Sequence, residues 1–151
     1  MKSLLLYLFP ALLLFISACT EQVEIAQDDC TKFVKLSYFT YDSLRTDAIN
    51  VMSAKVDGDC LKLSLQYGGG CKDHQVDLAL ILPECGTPPL PPPTFEIRHN
   101  ANNDACKALI TKDYSFNISG IREEGKNQVE FVLNARNSSG IAGSNTYTYK
   151  Y

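Results

Sequence analysis

The chain has 151 residues, with 14 Lys and Arg against 17 Asp and Glu, and a formal net charge of −3. No stretch gathers its Lys and Arg, which excludes nucleic acid and anionic lipid as charge-driven partners, since both need clustered cations. The length is that of one ordinary domain, able to bury a real core once the first residues are set aside.

Lys2 gives a charged start, and Leu4 to Ile16 is an apolar run broken once by Pro10. That run is shorter than the roughly 20 residues a membrane-spanning helix needs, and small residues follow it, as in a processed export signal. Ile16-Ser17-Ala18-Cys19 resembles the lipobox of bacterial lipoproteins. The resemblance implies cleavage before Cys19, a diacylglyceryl group on its thiol and an acyl chain such as palmitate on its amine. It implies a bacterial cell-envelope protein, lipid-anchored at the outer membrane, whose partner through acylated Cys19 is the lipid bilayer. Residues 1–18 are then a signal peptide and residues 19–30 a lipidated N-terminus and polar tether. Residues 31–151 are the folded domain.

Within that domain the apolar residues recur with a period of two. Phe33 to Tyr41 is rich in aromatic and β-branched residues, and Ile49 to Val56 follows. Asp57-Gly58-Asp59 predicts a tight hairpin turn, because Asp-Gly tolerates positive φ. Leu61, Leu63 and Leu65 alternate with Lys62, Ser64 and Gln66, the mark of a half-buried strand. Gly68-Gly69-Gly70 breaks it. Val76, Leu78, Leu80 and Leu82 form a more apolar strand that Pro83 ends.

Five prolines in Gly86 to Thr94 exclude a central strand and predict an extended connector. Phe95 and Ile97 start the next strand. Ala105 to Lys112 reads either as a short helical turn capped by Asp104 or as the lead into a strand. Tyr114/Phe116/Ile118, Val129/Phe131/Leu133 and Tyr147/Tyr149/Tyr151 alternate again. No long stretch has helical periodicity. Seven to eight short strands at this spacing predict an all-β, immunoglobulin-like antiparallel β-sandwich.

Six cysteines suit an oxidising compartment. Beyond Cys19 there are Cys30, Cys60, Cys71, Cys85 and Cys106, so two bridges leave one thiol over. Spacing does not select among the arrangements. Cys71 and Cys106 are the preferred pair, since both lie in loop-like sequence outside any apolar alternation. The two histidines, His74 and His99, each lie near one of them. Cys71, His74, His99 and Cys106 therefore also form an alternative zinc or copper donor set. Oxidation weighs against it, because a disulfide consumes both sulfur ligands.

Asn100-x-Asn102-x-Asp104 imitates the start of a calcium loop, but Ala105 and Thr111 stand where glycine and glutamate belong. No Gly-x-Ser-x-Gly nucleophile turn occurs, and the acidic pairs Asp28-Asp29 and Glu123-Glu124 read as solvated loop charges. No cofactor is expected. Gly69-Gly70-Cys71-Lys72-Asp73-His74, with His99-Asn100-Ala101 and Asp104-Ala105-Cys106, resembles a pattern in small lipoproteins of Bacteroidota-type bacteria. That resemblance implies a β-rich envelope lipoprotein and nothing catalytic. The expected role is a non-enzymatic structural or binding module with an envelope protein or ligand as partner, and metal handling is the alternative.

Overall fold

The computed structural model describes residues 30, 32–38, 44–82, 90–136 and 142–151. Cys19, Cys85 and the proline-rich residues up to 89 lie outside them. The described residues form nine strands and one 3₁₀ turn. The strands are β1 (Lys32–Phe33), β2 (Lys35–Tyr38), β3 (Asn50–Asp57), β4 (Cys60–Gly69), β5 (Gln75–Leu82), β6 (Thr94–Asn100), β7 (Ala108–Asn117), β8 (Gln128–Arg136) and β9 (Ala142–Lys150), with the 3₁₀ turn at Ser119–Ile121.

Alternation builds the sandwich. Leu61, Leu63, Leu65 and Tyr67 on β4 and Tyr114 and Phe116 on β7 point inward from one sheet. Val76, Leu78, Phe95, Ile97, Phe131, Leu133 and Tyr149 meet them from the other. Each large apolar side chain buried this way contributes roughly 1.5–3 kcal/mol of transfer free energy. The four-stranded sheet has the order β1-β7-β4-β3 and the five-stranded sheet β2-β5-β6-β8-β9. The predicted hairpin closes where Asp57 pairs with Cys60, with Gly58 at a φ of +55°.

The all-β sandwich is as expected, but its pairing is not antiparallel throughout. β1 runs parallel to β7, β2 to β5, and β6 to β8. The segment read as one strand from Phe33 divides at Val34, and its halves join different sheets. A pleated strand offers the same two-residue period whichever way its neighbour runs, so alternation carries no directional signal.

Of the two readings of Ala105 to Lys112, the structure bears out the lead into a strand, which is β7. One further expectation changes. Cys30, assigned to the tether by sequence, forms a disulfide with Cys60 across 5.4 Å between Cα atoms. The folded body therefore includes residue 30.

Candidate functional site

The polar residues singled out in the sequence meet at one end of the sandwich. There the β4–β5 loop faces the β6–β7 loop, and a disulfide joins them through Cys71 and Cys106, with Cα atoms 5.8 Å apart. Asp104 lies beneath this bridge. Its Oδ2 accepts the backbone N–H groups of Gly70, Cys71 and Lys72, each at 2.9 Å, and its Oδ1 accepts that of Cys106 at 2.9 Å. The carboxylate is 1% exposed. These donors, Cys106 N–H foremost, then Cys71 and Lys72 and finally the His74 ring, hold its pKa far below the usual carboxylate range despite the opposing effect of burial.

The local sequence explains the cradle. Gly69 and Gly70 take φ values of +152° and +117°, which turn three successive amides toward one point. Glycine adopts such angles without steric cost. Space is a second constraint at Gly69. A Cβ there would lie 2.5 Å from Nε2 of His74 and 3.0 Å from Oδ2 of Asp104. Gly69→Ala is expected to cost about 2 kcal/mol from overpacking and backbone strain. Urea unfolding measures it, and an unchanged midpoint refutes the packing account.

Below Asp104 the two histidines continue the network. His74 Nε2 lies 3.2 Å from Asp104 Oδ2, His74 Nδ1 lies 2.9 Å from His99 Nε2, and His99 Nδ1 lies 3.0 Å from the Ala48 carbonyl. Proton accounting assigns the roles. The Ala48 carbonyl can only accept, so His99 Nδ1 donates; neutral His99 then accepts at Nε2 from His74 Nδ1. A carboxylate also only accepts, so the chain of contacts runs from the Ala48 carbonyl through both rings and ends on Asp104. Burial, the largest effect, favours neutral His99 and lowers its pKa. Tyr67 stacks on His74 with ring centroids 4.9 Å apart and lies 4.8 Å from His99.

This geometry places Cys71, His74, His99 and Cys106 at one end of the sandwich, but neither histidine joins the cysteines in a mutually close donor group among the described residues. Cys71, Asp104 and Cys106 offer donor atoms within 4.8 Å of one another. The sulfurs are bonded to each other, however, and Asp104 is filled by amides. In this redox state neither cysteine supplies a thiolate. Both rings are buried, His74 with 2% and His99 with 1% exposure. A general base must reach a substrate proton, and these nitrogens reach only each other and their protein partners. The cluster fastens two loops to the core.

Asp104 is the residue whose role the sequence conceals. As the third member of the calcium-like pattern it points away from Asn100 and Asn102 and toward residues 70–72. The available signal was an aspartate two positions before a cysteine, where its side chain accepts that residue's own N–H. Asp47 also escaped notice. It accepts the Ala101 N–H at 2.8 Å and holds the segment before β3 against the same loop. At the opposite end, Asp59 receives hydrogen bonds from Arg122 and from the Tyr149 hydroxyl, which fixes the 3₁₀ turn to β9.

Residues 32–151 match the family model described as the NigD-like C-terminal beta sandwich domain. Among solved structures, the chain is similar to a toxin-related protein of Parabacteroides distasonis, with a TM-score of 0.61 and 22% identity over 79% of this chain and 61% of that one. It is similar to a NigD-like immunity protein of Bacteroides caccae, with a TM-score of 0.57 and 16% identity over 79% and 64% of the two chains. A protein of unknown function from Bacteroides vulgatus gives a TM-score of 0.59 and 14% identity over 80% and 56%. At these identities the likeness concerns the fold. The chain spans about three fifths of the length of these solved relatives. No curated protein matches it.

Proposed function

The chain belongs to the family of NigD-like C-terminal beta sandwich domains, and from that premise we propose that it is a membrane-anchored envelope lipoprotein whose body is a non-enzymatic binding module. The observation that carries the anchoring is Ile16-Ser17-Ala18-Cys19 directly after a short apolar run. One acyl chain holds a protein only marginally and several hold it firmly, at about 0.8 kcal/mol for each buried CH₂. Two disulfides among the described residues favour an oxidising compartment. Among these residues no helix is long and apolar enough to cross a membrane.

Non-enzymatic binding is favoured because the conspicuous polar cluster is buried and internally satisfied. One structural relative is named a NigD-like immunity protein. The alternative role in copper or zinc handling would require reduction of Cys71–Cys106 and release of His74 and His99 from their hydrogen bonds.

Anchoring is tested by fractionation. The natural chain is expected to stay with membranes through a carbonate wash. The Cys19→Ser form, exported behind an ordinary cleavable secretion signal, is expected to become soluble. Equal pelleting of the two forms would sink the lipid anchor. Metal analysis of the exported protein separates the alternative: stoichiometric zinc or copper with free thiols at residues 71 and 106 would displace the binding-module reading.

A further inference from the structure

We propose that the five-stranded sheet carries a cleft for an extended, acidic peptide segment of a partner protein. The proposal deepens the binding-module part of the reading above and is independent of lipid at Cys19. The cleft encloses about 820 Å³, within the roughly 300–1,000 Å³ of ordinary ligand sites.

Its floor follows from alternation. Phe95 and Ile97 of β6 point into the core, so Glu96 and Arg98 point outward. Register places Asn134 of β8 beside Glu96, with Arg136 two residues further on the same face. Leu90 and Pro91–Pro93 form one wall.

The charges in this cleft are unevenly satisfied. Arg98 is paired with Glu96 at 3.0 Å and donates to the Leu44 carbonyl at 3.4 Å. Arg122 is paired with Asp59, and Glu123 with Lys126. Among the described residues Arg136 has no carboxylate partner, and it is exposed at the cleft. A guanidinium in this position offers a planar fork suited to a carboxylate. The Asn134 Oδ1 is buried without a hydrogen-bond partner among the described residues. Buried acceptors are normally paired, so this atom calls for a donor such as a peptide N–H.

Thus the floor presents an anion site and an acceptor two residues apart on one face of a strand, beside an aliphatic wall. An acidic side chain, its neighbouring amide and a flanking aliphatic residue supply the complementary groups. A sugar acid would supply a carboxylate and hydroxyls, but the wall is aliphatic and proline, and among the described residues no aromatic ring lines the cleft to stack on a sugar face.

The test uses the exported Cys19→Ser protein, labelled with ¹⁵N and titrated with acetyl-Leu-Glu-Leu-amide. The Gln analogue and glucuronate serve as comparison probes. The Glu peptide is expected to move the amide signals of Glu96, Asn134 and Arg136 and to saturate in the millimolar range or below, about −4 kcal/mol or better. Affinity is expected to fall tenfold or more for the Gln peptide and for Arg136→Gln, whose exposed position leaves the melting temperature unchanged. Absence of cleft shifts, equal binding of Glu and Gln peptides, or tighter binding of glucuronate would each overturn the proposal. A partner protein captured equally by the natural and Arg136→Gln forms would overturn this cleft and leave the binding-module reading standing.

Discussion

Replacing Cys71 and Cys106 together with serine is expected to lower the stability of the domain by about 4 kcal/mol, the chain-entropy value for a loop of this length. The two residues are 35 apart in sequence, so their bond removes a large set of open conformations from the unfolded chain. For a domain of this size the loss corresponds to roughly 10–15 °C in melting temperature. The native state is affected as well. With the bridge gone, the loop is held by the Asp104 carboxylate on the amides of residues 70–72 and by Lys72 Nζ, which donates to the Asn102 and Asn103 carbonyls at 3.1 Å. Hydrogen exchange at residues 70–72 is therefore expected to accelerate more than exchange in the core strands β4 and β6. A double variant that melts with the natural protein would show that the loops are fastened by the carboxylate and that the sulfurs are incidental. Both cysteines are replaced together so that no lone thiol remains to form mixed disulfides.

His99→Leu is expected to cost about 2 kcal/mol, because it keeps the core apolar while removing the partner of the buried His74 ring and the hydrogen bond to the Ala48 carbonyl. The Ala48 carbonyl loses its donor and His74 Nδ1 loses its acceptor. The same variant alters the response to acid. Burial depresses the pKa of His99 in the folded protein, while the unfolded chain protonates near pH 6.5. The unfolded state therefore binds more protons as pH falls, and stability declines below about 6.5. His74 and Asp47 are the ionisable groups that face this ring. Asp104 adds a second decline at lower pH. Its folded pKa is strongly depressed, so its contribution is complete above about pH 5 and is lost as the unfolded carboxylate protonates near 3.9 and below. Urea midpoints at pH 7.5, 6 and 5 measure the first window. The natural protein is expected to weaken across it, and His99→Leu to begin weaker and vary less. Parallel profiles would remove His99 from the account.

Much of the fold was legible because the sandwich is governed by a simple rule. Leu61, Leu63 and Leu65, and again Val129, Phe131 and Leu133, declare one buried face, and two such faces cover each other. Partial legibility also held at the candidate site. Two cysteines outside the alternation, each near a histidine, stood out as a group, and the structure gathers them at one end. Asp104 stayed hidden because its chemistry depends on Gly69 and Gly70, more than thirty residues earlier. Three amides converge only when those glycines take left-handed angles and the β6–β7 loop lies opposite. The cleft was equally invisible, since Glu96 and Arg98 read as ordinary solvent-facing positions of a strand.

The sequence by itself determined the strand-rich composition of the core and the hairpin at Gly58. These depend on residue type and short-range periodicity, which a linear chain displays directly. Only tertiary structure decided strand direction, the passage from one sheet to the other at Val34, the Cys30–Cys60 and Cys71–Cys106 pairings and the placement of Asp104 beneath its amides. Each of these joins residues distant in sequence through geometry, and side-chain alternation is identical for every arrangement that buries the same faces.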